Sequence, residues 1–194
     1  MRIEPRKDSA ARKRMVVREV RRAHALGPMP DPVCCAHCAD YRQTSGCHRY
    51  CPAAPRRLSS EGDHSPVEPL VAPLVFELKR LGMFHPCWSC EGHADEAGGL
   101  QKIPRVWFYA DSVVHVRSLA EAVHGLFAGG RLLARWQVVL TYSDPDNPDT
   151  TFSLEPESAA DLALPALQRD LRVMADELAL VFWRTCDLLA VQAG

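Results

Sequence analysis

The sequence predicts an α+β protein: a small antiparallel or mixed sheet packed on helices, with an N-terminal basic helix and a cysteine-rich metal-organised loop. Three observations lead there. Stretches at both ends and in the middle repeat apolar residues at helical spacing. Three shorter stretches between them have the aromatic and β-branched content of strands. Seven of the eight cysteines fall between residues 34 and 90. At 194 residues the chain has the length of one ordinary core with appended segments.

Taken in order, the first element is a helix over residues 9 to 26. Met15, Val16, Val20, Ala23 and Leu26 recur on one side, and Arg12, Arg14, Arg18, Arg21 and Arg22 spread over the rest. Gly27 and Pro28 end it. A cysteine-rich segment runs from 34 to 51, followed by the connector "PAAPRRLSSEGDHSP", which has no periodicity. Ser65, Pro66 and Glu68 have the pattern of an N-cap, a first-turn proline and a capping-box acid. Pro69 and Pro73 delay the regular part of this next helix, whose stripe is Leu70, Leu74, Leu78 and Leu81, with Gly82 as its C-cap. "IPRVWFYAD", "ARWQVVLTY" and "TTFSL" read as strands. Between the first two lies a helix over 112 to 128, closed by Gly129 and Gly130, and "SDPDNPDT" reads as a hairpin loop. A long helix from Pro165 to Val191 closes the chain, with Leu167, Leu171, Met174, Leu178 and Val181 on one face for packing over a sheet or for a homodimer seam. The expected organisation is a basic arm over 1–30, a zinc loop and connector over 31–65, and an α+β domain over 66–194.

Composition narrows the function classes. With 47% hydrophobic and 24% charged residues and no apolar run near the roughly 18 a membrane span needs, no transmembrane helix is expected. The basic start lacks the apolar segment of a secretory signal, which points to a cytoplasmic protein. In such a reducing compartment, eight cysteines favour metal ligation over disulfides, with Cys186 set apart as a buried core residue. The charge is divided: residues 1 to 57 carry 13 Lys/Arg against 5 Asp/Glu, and residues 58 to 194 carry 10 against 19. A basic arm of this kind meets nucleic acid, a membrane surface, an acidic partner protein or the acidic body of the protein itself. Neither a Walker loop, a G-x-G-x-x-G nor a G-x-S-x-G occurs, so nucleotide-fold and serine-hydrolase chemistry have no support.

Two cysteine clusters carry the chemistry. Cys35, Cys38, Cys47 and Cys51 have the spacing of two ligand pairs joined by a short loop, which suits a tetrahedral zinc that would fold a segment too polar to fold itself. An iron-sulfur cluster fits less well, because successive C-x2-C units are absent. The second cluster is "HPCWSCEGH", residues 85 to 93, in which Cys87, Cys90 and His93 are the expected ligands and Gly92 provides the turn. A structural site would be completed by His85, His115 or a cysteine of the first cluster. A catalytic one would keep the fourth position open for water, with Glu91 as general base. "PCWSCE" contains half of the zinc deaminase signature, without the upstream H-x-E. His115 is expected in the core, and Trp107, Phe108 and Tyr109 are expected to be core rather than base-stacking residues. The reading is a cytoplasmic zinc-binding protein with a binding or regulatory role toward nucleic acid or an acidic protein. The alternative is a zinc-dependent hydrolase or deaminase-type enzyme.

Overall fold

The computed structural model describes residues 10–28, 48–141, 149–158 and 162–193. The periodic N-terminal stretch forms helix α1 (Ala10–Leu26), which buries Glu19, Val20 and Ala23. The connector contains a one-turn helix α2 (Ala54–Leu58), started by Pro55, that the missing periodicity concealed. Helix α3 (Ala72–Arg80) begins where the prolines allow it, at Ala72 rather than after Ser65, and buries Leu74 and Leu78. Leu81 is buried at its C-cap, and Gly82 leaves the helix at φ +86° while its N–H bonds to the Lys79 carbonyl.

The nonapeptide is mostly extended: Phe84–Cys90 is strand β1. A short pair, β2 (His93–Ala94) and β3 (Leu100–Lys102), interrupts the path to β4 (Arg105–Ala110). Helix α4 (Val113–Ala128) follows, capped by the Ser112 hydroxyl, which accepts the Val114 N–H at 3.2 Å. Strands β5 (Trp136–Thr141) and β6 (Thr151–Pro156) form an antiparallel pair, and helix α5 (Leu164–Ala193) ends the chain. The four main strands make one antiparallel sheet in the order β1-β4-β6-β5.

One face of the sheet meets the helices. Phe84, Val106, Phe108, Trp136 and Leu154 join Leu119 and Val123 of α4 and Leu171, Leu178 and Phe182 of α5 in a single core. Phe84 lies edge-on to both Phe108 and Phe182, at 5.4 and 5.5 Å. Val20 and Ala23 belong to the same core, so α1 is packed into the body and not only appended to it. Strand alternation divides the aromatic triplet: Phe108 is fully buried, while Trp107 and Tyr109 are partly exposed and lie outside the core cluster. The other face carries Trp107 beside Trp88 and Ser153, and it does not contribute to that cluster.

Buried polar groups fix the joints of this layer. Asp170 of α5, fully buried, accepts the Leu133 and Ala134 amides at 2.8 to 3.0 Å and the Trp136 indole at 3.1 Å, which holds the start of β5 against the helix. His115 is in the core as expected, its Nε2 at 3.0 Å from the Glu19 carbonyl of α1. Part of the basic N-terminal half is matched by the acidic body: Arg22 pairs with Asp111, His24 with Asp187, and Arg49 with the buried Glu77 and with Asp176. No helix among the described residues is long and apolar enough to cross a membrane.

Candidate metal centre and cleft

Cys90 ends β1 and is buried, and the chain must reverse within two residues for β2 to begin at His93. Gly92 makes this turn at φ +83°, a region open to glycine at little cost. Its missing side chain is also needed sterically. A Cβ there would sit 2.6 Å from Leu164 Cδ1 and 2.9 Å from Pro104 Cδ. The turn is held from outside by the stretch leading into α3: the Glu91 N–H donates to Glu68 Oε2 at 2.6 Å, and the Leu70 N–H donates to Glu91 Oε2 at 2.8 Å. The two acids therefore tie the two segments together reciprocally.

That clasp brings Glu68 to the turn. Glu68 Oε1 lies 2.8 Å from His93 Nε2, and Glu68, Cys90 and His93 offer ligand atoms all within 4.8 Å of one another. The Gly92 amide also points at Cys90 Sγ, at 3.4 Å. Burial pushes the Cys90 thiol up from its ordinary value and the Glu68 charge adds to the rise, against the pull of the Gly92 amide, Lys102 and Arg105. A bound cation would reverse this balance, since a coordinating thiol loses its proton outright. One thiolate, one imidazole and one carboxylate form a donor set suited to zinc, whereas an iron-sulfur cluster calls for several sulfur ligands.

Two of the three ligands expected in the nonapeptide, Cys90 and His93, are thus brought together, and Cys87 stands outside the group. The reason is the backbone. A metal knuckle needs a tight turn between its cysteines, but β1 is extended, so the three residue steps from Cys87 to Cys90 span about 10 Å of strand. Cys87 falls at the irregularity in register between Pro86 and Trp88 and is exposed. Of the completing ligands expected, the two histidines are engaged elsewhere: His85 Nε2 faces Asp111 at 2.8 Å, and His115 faces Glu19. Glu91 spends its carboxylate on the Leu70 amide.

Of the first cluster, Cys35, Cys38 and Cys47 lie outside the described residues. Cys51 is buried where the chain enters α2, its carbonyl accepting the Ala54 N–H at 2.8 Å. Cys51, Cys87, Cys90 and Cys186 take part in no disulfide, and burial raises the Cys186 thiol to about 11.

The trio opens onto a cleft of about 720 Å³ between the connector, α3 and β1. Arg57, Lys79 and Lys102 line it, together with four serines and Trp88, whereas Glu68 is its one carboxylate. Nothing in the spacing marks Glu68 as a partner of the turn, since it is more than twenty residues away and reads as a helix cap. No protein-family model matches this chain, and no curated protein or solved structure shows significant similarity to it.

Proposed function

We propose that the chain is a zinc-binding protein whose role is binding or regulation, with nucleic acid or an acidic protein surface as its partner. The observation that carries this reading is the convergence of Glu68, Cys90 and His93 at a cleft whose other charged residues are cations. Zinc held there would join the stretch before α3 to the β1–β2 turn, adding a metal bond to the Glu68–Glu91 clasp. The four cysteines Cys35, Cys38, Cys47 and Cys51 would hold a second zinc and fold residues 31–65 around it. The exposed cations Lys13, Arg14 and Arg21 of α1 would supply further positive surface for a polyanion.

Metal analysis of the purified full chain tests the reading: zinc should be present, and Cys90→Ser or Glu68→Gln should each remove one equivalent. Chelation should expose residues 31–65 to protease while the C-terminal body persists. Protein that purifies without zinc and keeps an unchanged digestion pattern contradicts it.

A hydrolase is the second reading, favoured by one observation: three ligands beside an open cleft leave a coordination position for water. Glu91 would serve as base only by releasing the Leu70 amide. The visible spectrum of the cobalt-substituted protein separates the two, because an exchangeable water ligand shifts with pH and added anions, and a closed site does not.

A further inference from the structure

We infer that the cleft beside Glu68, Cys90 and His93 is a binding site for a nucleotide unit, with phosphate on Lys79, Lys102 and Arg57 and the base on Trp88. This deepens the binding reading above by naming the surface and the ligand, and it does not require metal in the trio.

Three observations support it. The first is charge. Arg57, Lys79 and Lys102 line one cavity, and their side chains take part in none of the ion pairs that occupy Arg22, Arg49, Arg80, Arg131 and Arg135 elsewhere among the described residues. Glu68, turned to His93 and the Glu91 amide, is the single carboxylate set against these three cations in the cavity lining. Three cations against one carboxylate leave the concave site net positive, and such a site attracts an anion because its walls focus the field. The second is size. About 720 Å³ is the room of a small-molecule site and is larger than a lone phosphate requires. The third is the wall. Trp88 lines the cavity, is 47% exposed, and meets Trp107 at 5.0 Å between ring centroids with the two rings tilted by 45°, so a neighbour supports the indole while much of its surface stays open. An aromatic platform next to a cationic groove is the arrangement that takes a base and its phosphate together.

The same unit occurs as a free nucleotide and within a single strand, and the experiment distinguishes these sources. Full-length protein is titrated with adenosine monophosphate, adenosine, inorganic phosphate and a short fluorescein-labelled oligothymidylate, alongside the variants Lys79→Ala, Lys102→Ala, Trp88→Ala and Lys13→Ala. The monophosphate should bind and adenosine should not. Lys79→Ala and Lys102→Ala should each weaken binding about fivefold to tenfold and reduce the salt slope by about one charge, and Trp88→Ala should weaken it about tenfold. Competition of the oligonucleotide by the monophosphate identifies the shared site, and oligonucleotide affinity far above that of the monophosphate identifies the single strand as the source. Binding lost in Lys13→Ala but retained in the cleft variants would overturn the inference and leave the basic helix as the binding surface. Equal binding by wild type and Trp88→Ala, or an absence of binding by any of these probes, would also overturn it. Zinc content is measured on every variant beside monophosphate affinity, so loss of zinc and failure of the cleft are read separately.

Discussion

Replacing Gly92 with alanine should destabilise the protein by about 2 to 5 kcal/mol, and the components of that figure can be separated. An L-residue held at φ +83° costs about 1 to 2 kcal/mol from its own backbone. The new methyl group would also meet Leu164 Cδ1 at 2.6 Å and Pro104 Cδ at 2.9 Å, well inside the roughly 3.5 to 4 Å of a relaxed carbon contact, and forced overpacking costs about 1 to 3 kcal/mol. Gly98 supplies the control. Its φ is +82°, nearly the same, but a Cβ there would meet nothing within 4 Å, so Gly98→Ala should cost only the backbone share, about 1 to 2 kcal/mol. The assay is urea denaturation with chelator present, so that bound metal does not enter the comparison, followed by zinc content of untreated protein. The double variant Gly92→Ala/Leu164→Ala should recover part of the excess, because it removes the nearest obstacle. Gly92→Ala no less stable than Gly98→Ala would refute the argument that the turn between Cys90 and His93 is set by its packing.

The other expectations concern the core and the metal ligands. Asp170→Ala, which leaves the Leu133 and Ala134 amides and the Trp136 indole without their acceptor, should cost about 3 to 5 kcal/mol and Asp170→Asn clearly less; a urea midpoint unchanged in Asp170→Ala would contradict this. Burial lifts the Cys186 thiol from 9.0 to about 11, so the folded state holds the proton more tightly than the unfolded one. This contribution to stability is intact below pH 9 and is lost as pH rises through about 11. Cys186→Ala should therefore show an alkaline decline shallower than wild type by roughly 2 to 3 kcal/mol, and parallel pH profiles would count against it. Cys90→Ser should lower zinc content and stability together, whereas Glu91→Gln should leave zinc bound and reduce stability modestly through the Leu70 amide; zinc loss in Glu91→Gln by mass spectrometry would reverse the roles of the two acids.

What could be read from the chain beforehand was what depends on near neighbours. Ser112 and the Gly129-Gly130 pair delimit α4 because capping is decided within a turn, and the three strand stretches were visible in their side-chain content. Cys186 was legible as core for the same reason, being set in an apolar helical pattern. The turn at Gly92 and the meeting of Cys90 with His93 are equally local. Glu68 was not legible as their partner, because contact between residues 68 and 93 is created by the clasp with Glu91 and by the packing of α3 on β1. Cys87 shows the opposite case: C-x2-C suggests a knuckle, but strand pairing with β4 claims the segment and draws it out straight. The split of Trp107 and Tyr109 from Phe108 follows from alternation once the strand is known, yet which face is covered depends on helices far away in the chain. The match between Arg22 and Asp111, or between Arg49 and Glu77, likewise depends on docking and not on spacing.

Helix α5 follows every other described element in the chain, and it provides Leu167, Leu171, Met174, Leu178, Phe182, Cys186 and Leu189 to the interior. During synthesis α1, α3 and α4 leave the ribosome before the surface they pack on has been made. Their apolar sides stay uncovered until α5 joins them. The core is therefore completed by the segment made last among those described, and a chain stopped before α5 should leave the apolar sides of α1, α3 and α4 open to aggregation.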